Sequence, residues 1–111
     1  MTEALALPPG IAAYVEANAR LDADAMAAPF TPDAVVHDEG RSHRGTAAIR
    51  AWIDEATIAN AAVATPVAVR RDGSLVAVAA EVTGNFPGSP IRLTLRFTLA
   101  GDAISKLEIG A

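Results

Sequence analysis

Hydrophobic positions recur at two different spacings along this chain, and the change from one to the other after Asn60 divides it into a helical opening and a strand-rich remainder. Ile11, Tyr14, Val15 and Asn18 return at helical intervals directly after Pro8-Pro9-Gly10 and predict a first helix over 9–19. Asp22 is placed to cap a second short helix over 23–28, which Pro29 and Pro32 prevent from continuing. Residues 34–37 read as a short strand ended by Asp38-Glu39-Gly40, with a polar loop running on to Gly45. Thr46 caps a third helix, on which Ile49, Trp52, Ile53 and Ala56 share one face while Arg50, Asp54 and Glu55 turn to solvent.

Beyond Asn60 the spacing becomes two, with β-branched residues concentrated in 63–69, 75–82, 91–99 and 103–109. Asp72-Gly73 is a strong two-residue hairpin signal, Gly101-Asp102 a weaker one, and Gly84 to Pro90 a longer connection, so the four strands are expected to pair antiparallel in succession. In the third of them Ile91, Leu93, Leu95, Phe97 and Leu99 alternate with Arg92, Thr94, Arg96 and Thr98, giving one core face and one wet face. The expected architecture is therefore α+β: three N-terminal helices packed on the apolar side of a curved, mainly antiparallel sheet, as one domain over 1–111 with no repeat or linker.

Composition narrows the function classes. The chain has 111 residues, 51% of them hydrophobic but only 5% aromatic, and 26 are alanine, so the interior must be filled economically by a single core. With no cysteine there is neither thiol chemistry nor a disulfide framework. The net charge is −4 and the nine basic residues are scattered, which argues against nucleic acid as a partner. Apolar runs stop well short of the roughly 18 residues a span needs, and Glu3 stands where a signal peptide would be basic, so the expectation is a cytoplasmic protein without a membrane partner.

Three stretches then become familiar: Tyr14-Val15 in the first helix, Phe30-Thr31-Pro32-Asp33-Ala34-Val35-Val36-His37-Asp38 at the first strand, and His43-Arg44-Gly45-Thr46-Ala47-Ala48-Ile49-Arg50 entering the third helix. Together with the order of elements they resemble the nuclear transport factor 2-like superfamily, in its SnoaL-like and ketosteroid-isomerase-like branches, across nearly the whole chain. The resemblance implies a cystatin-like cone with a pocket between helices and sheet. It also implies two roles by motif position: Asp38 as the carboxylate that abstracts a proton next to a carbonyl, and Tyr14 as the phenol that donates a hydrogen bond to the enolate oxygen. Where the isomerases carry a second, protonated acid, this chain has Leu93, so the oxyanion would have one donor and steroid isomerase activity is not expected. The Arg-x-Asp of the limonene epoxide hydrolases is missing too, because Arg92 is followed by Thr94. SnoaL-like cyclases need only one acid/base carboxylate in an apolar cavity and no cofactor, which this sequence supplies more easily.

The candidate catalytic residues are thus Asp38 and Tyr14, and the candidate substrate-binding residues Val36, Trp52, Leu93, Leu95 and Phe86. Four of them have a plainer reading: Asp38 as the cap of its own turn, Tyr14 as helix-to-sheet packing, Trp52 as a core anchor, Phe86 as an exposed loop aromatic. His37 and His43 flank two acids, yet strand alternation sends His37 and Asp38 to opposite faces and His43 is expected in a loop, so no metal site is expected. Arg92, Arg96, Thr94 and Thr98 suit either a solvent-exposed sheet face or a polar interface, and the resemblance implies a homodimer formed through that outer face. The expected function is binding of a small hydrophobic carbonyl-bearing ligand, with cofactor-free proton transfer of isomerase or cyclase type; the alternative is a noncatalytic binding or protein-interaction domain of the same fold.

Overall fold

Pro9 opens the first helix, α1 (Pro9–Ala19), in the turn where its missing N–H has no intrahelical role. The computed structural model describes residues 6–110; Glu3, on which the reading of the N-terminus turned, lies outside the described residues. Gly10 lets α1 approach the sheet closely, since a Cβ there would run into the backbone carbonyl of Asp102. Asp22 caps α2 (Ala23–Ala27) as expected, its side chain accepting from the Ala25 N–H at 3.1 Å. Strand β1 follows (Phe30–Asp38), then β2 (Arg41–Arg44), α3 (Thr46–Trp52) with a π-helical continuation over Ile53–Ile58, and the meander β3 (Val63–Asp72), β4 (Leu75–Thr83), β5 (Ile91–Ala100) and β6 (Ala103–Gly110).

The six strands form one sheet in the order β2-β1-β6-β5-β4-β3. Every pairing is antiparallel except that of β1 with β6, which brings the helical half of the chain back against the end of the meander. The inward face carries Ala34 and Val36 of β1, Val76, Val78 and Ala80 of β4, Leu95, Phe97 and Leu99 of β5, and Ile104 and Leu107 of β6. Ile11, Met26, Ile49 and Ile53 of the helical layer complete this core with almost no exposed surface. The α+β architecture expected from the pattern, helices packed on a mainly antiparallel sheet, is the fold observed. No helix among the described residues is long and apolar enough to cross a membrane.

Three local differences have physical causes. β1 begins at Phe30 rather than at residue 34, and it accommodates Pro32 because the pairing with β6 is irregular between Phe30 and Val35, where no ladder hydrogen bond is demanded of it. The expected loop after Asp38 is instead a hairpin: Glu39 (φ 53°) and Gly40 (φ 75°) both adopt the left-handed conformation of a two-residue turn, and β2 returns antiparallel. In the third helix the widened π turn advances the buried position by one residue, so that Thr57 is buried and Ala56 only half-buried.

Candidate functional site

The helices do not reach the end of the sheet where β5 begins. Ile91 and Leu93 point inward there, in phase with Leu95 and Phe97, yet Ile91 remains exposed and Leu93 half-buried. The space left above them is a cavity of about 660 Å³, within the range of small-molecule sites. Buried side chains Tyr14, Asn18, Trp52, Thr57, Val82 and Leu95 line it, and exposed Glu39, Arg41 and Glu55 border it.

The hairpin decides which polar groups look in. Residues directly opposite in an antiparallel pair point to the same side, and the register sets Asp38 across from Arg41 and Val36 across from His43. Asp38, Arg41 and His43 therefore share the concave face and all line the cavity. His37 falls on the other side, its Nδ1 lying 2.8 Å from the Ser42 hydroxyl, so the two histidines do not converge.

Asp38 does not cap its own turn; its Oδ2 accepts a hydrogen bond from Trp52 Nε1 at 3.0 Å. The indole, 95% shielded from solvent, in turn lies beside the His43 ring, with centroids 6.1 Å apart. Trp52 is thus a core anchor, a cavity wall and the fixed partner of one carboxylate oxygen, which leaves the other oxygen of Asp38 free to act.

Tyr14 is held by two edge-to-face contacts, with Phe30 at 5.7 Å and Phe97 at 5.8 Å. Burial pushes its phenol well above the ordinary tyrosine range, and the nearby charge of Asp38 pushes it further. The hydroxyl is therefore a hydrogen-bond donor at any working pH, and no described residue takes that hydrogen bond. The phenol and the carboxylate line the same cavity.

Among the residues singled out from sequence, Asp38, Tyr14, Trp52, Leu93, Leu95 and Phe86 all border this cavity. Val36 does not: although on the same strand face as Asp38, it lies two residues further into the core, has no exposed surface, and its assignment to the cavity wall is corrected. The sequence reading missed Arg41 and His43, which a two-residue turn at Glu39-Gly40 would have brought onto the face of Asp38. It also missed the role of Asn18.

The buried Asn18 carboxamide joins α1 to the start of β3, donating to the Ala62 carbonyl at 2.9 Å and accepting from the Ala64 N–H at 2.7 Å. It thereby fixes the wall formed by Ala62 and Ala64. Asn18→Ala is expected to leave both backbone groups without partners and to lower stability by about 2–3 kcal/mol. Urea unfolding would register this as a lower midpoint with an unchanged slope.

Comparison with known proteins agrees with this architecture. A family model for the SnoaL-like domain matches residues 11–107. A candidate polyketide cyclase of Sinorhizobium meliloti is 43% identical, with a TM-score of 0.89 over 94% of this chain and 95% of its own. A protein of Catenulispora acidiphila with a ketosteroid isomerase-like fold superimposes with a TM-score of 0.81 at 20% identity, over 96% of this chain and 87% of its own. A cystatin-fold protein of Novosphingobium aromaticivorans does so with 0.78 at 19% identity, over 97% and 100%. Among curated proteins no match was found.

Proposed function

Because the chain belongs to the SnoaL-like domain family and is 43% identical to a candidate polyketide cyclase, we propose that its cavity binds a small apolar carbonyl compound and that Asp38 moves a proton next to the carbonyl. The observation that carries this reading is a single cavity lined by both a phenol and a carboxylate, the phenol hydroxyl and one carboxylate oxygen having no hydrogen-bond partner among the described residues. Asp38 takes the α proton, the C–H electron pair passes to the carbonyl oxygen, and the Tyr14 hydroxyl donates a hydrogen bond to the resulting enolate. Asp38 then returns the proton to the same or a neighbouring carbon, so that no external acid is consumed. Leu93 presents only apolar surface to the cavity, so no second donor comes from that position, which favours substrates whose α proton is already acidified by a second carbonyl or by a double bond.

The test is solvent deuterium incorporation into β,γ-unsaturated ketones and aromatic 1,3-diketones, followed by proton NMR. Binding is read in parallel from the fluorescence and the indole N–H resonance of Trp52, the single tryptophan, which lies in the cavity wall. The reading expects protein-dependent deuterium uptake. Ligands that shift the Trp52 signals and exchange no faster than in buffer would support the noncatalytic binder instead.

The partner this reading assigns to the outer sheet face is a second copy of the chain. Arg92 is set beside Glu81 and Arg96 beside Glu108 there, among Ala77, Ala79, Thr94 and Thr98, so that opposite charges can meet across a two-fold axis. Sedimentation equilibrium is expected to return twice the mass of the chain; the monomer mass at all concentrations would contradict it.

A further inference from the structure

The loop joining β4 to β5 contributes Phe86 and Pro87 to the cavity wall. One hydrogen bond ties it to the turn before β3 and two brace it internally. The Asn85 N–H donates to the Asn60 carbonyl at 2.7 Å, the Gly84 N–H to the Ser89 hydroxyl at 3.0 Å, and the Ser89 N–H to the Phe86 carbonyl at 3.3 Å. Gly84 stands where these ties meet, and its backbone conformation is open to any residue, so the need for glycine is one of space. A Cβ at this position would fall 2.7 Å from the Asn60 carbonyl oxygen, 2.9 Å from Cε2 of the Phe86 ring and 3.0 Å from Cα of Ala62. The ring of Phe86 occupies the room that the missing side chain leaves, against a turn that is itself part of the cavity wall. The outer wall of the cavity is thereby placed by these hydrogen bonds and one glycine.

We infer that Phe86, seated by Gly84, is the residue that sets the length of ligand the cavity accepts: the hydrocarbon part of a bound ketone ends against its ring. This rests on the cavity being the ligand site, as proposed above, but not on Asp38 being a base. Each methylene buried short of the ring strengthens binding by about fourfold, and a methylene that meets the ring adds nothing.

The experiment is titration of unbranched 2-alkanones of five to twelve carbons (roughly the span over which apolar burial grows), followed through the Trp52 indole N–H resonance, for wild type, Phe86→Ala and Gly84→Ala. Wild type is expected to show affinity rising with length and then levelling. Phe86→Ala moves the levelling point to longer chains, and Gly84→Ala, which keeps the ring but displaces it, moves the point as well. Thermal melts of both variants establish that they are folded at the titration temperature. An identical levelling point in all three proteins, uninterrupted growth in wild type, or no binding of any member to wild type would overturn the inference. The same series on Asp38→Asn separates the two claims: a preserved length limit with abolished α-proton exchange supports the ligand boundary independently of the chemistry, while unaltered exchange removes Asp38 and leaves the boundary intact.

Discussion

Replacing Asp38 with asparagine is expected to slow exchange of the α proton about 10²–10⁴-fold while leaving ketone affinity nearly unchanged. The substitution is nearly isosteric, and the side-chain carbonyl of asparagine can still accept the Trp52 Nε1–H that holds Oδ2 in the present protein. The fold and the cavity wall are therefore preserved, and what disappears is the ability to take up a proton. The loss is expected to be uniform across substrates that bind, because the same carboxylate oxygen serves each of them. Rates from deuterium incorporation set against affinities from the Trp52 resonance separate the two effects. Equal exchange rates in the two proteins would take Asp38 out of the reaction.

Tyr14→Phe is expected to lower the exchange rate about 10²–10³-fold, because it removes a donor aimed at charge that exists only along the reaction path. Leu93 offers no second donor to soften that loss. The same substitution has a consequence for stability that needs no substrate. In the unfolded chain a tyrosine ionises near pH 10, whereas burial and the charge of Asp38 hold the native phenol protonated to higher pH. Above about pH 10 the native state therefore binds more protons than the unfolded state, and stability falls as pH rises, by up to about 1.4 kcal/mol per pH unit; below that pH the term vanishes. Since Tyr14 is the single tyrosine, phenolate absorbance should rise together with unfolding rather than before it. Tyr14→Phe should flatten the alkaline fall, as urea unfolding at pH 9 and pH 11 would reveal.

Most of this fold could be read from spacing alone, since the meander rests on a clean alternation in β5 and on the Asp72-Gly73 turn, both strictly local signals. What escaped the reading depended on backbone conformations that the residues do not advertise. Glu39 enters the left-handed region at the first position of its turn, where asparagine or aspartate would have announced a hairpin, and so the concave placement of Arg41 and His43 stayed hidden. The π turn that buries Thr57 likewise leaves no mark on a helical pattern. At the candidate site, the placement of Asp38 and Tyr14 beside the cavity was legible through motif position, whereas the indole bond to Asp38 and the Asn18 clamp link residues 14, 44 and 46 positions apart and emerge only when the sheet closes. Val36 shows the opposite failure: alternation gives the correct face but not the depth along it.

The proposed chemistry requires Asp38 and Tyr14 to serve one bound molecule, and a crystal structure of Asp38→Asn with a β,γ-unsaturated ketone trapped in the cavity tests that most directly. The carbonyl oxygen is expected about 2.6–3.2 Å from the Tyr14 hydroxyl, with the α carbon facing the side chain at position 38. A ketone bound with its carbonyl turned away toward Arg41 at the cavity mouth, or bound elsewhere on the protein, would contradict it.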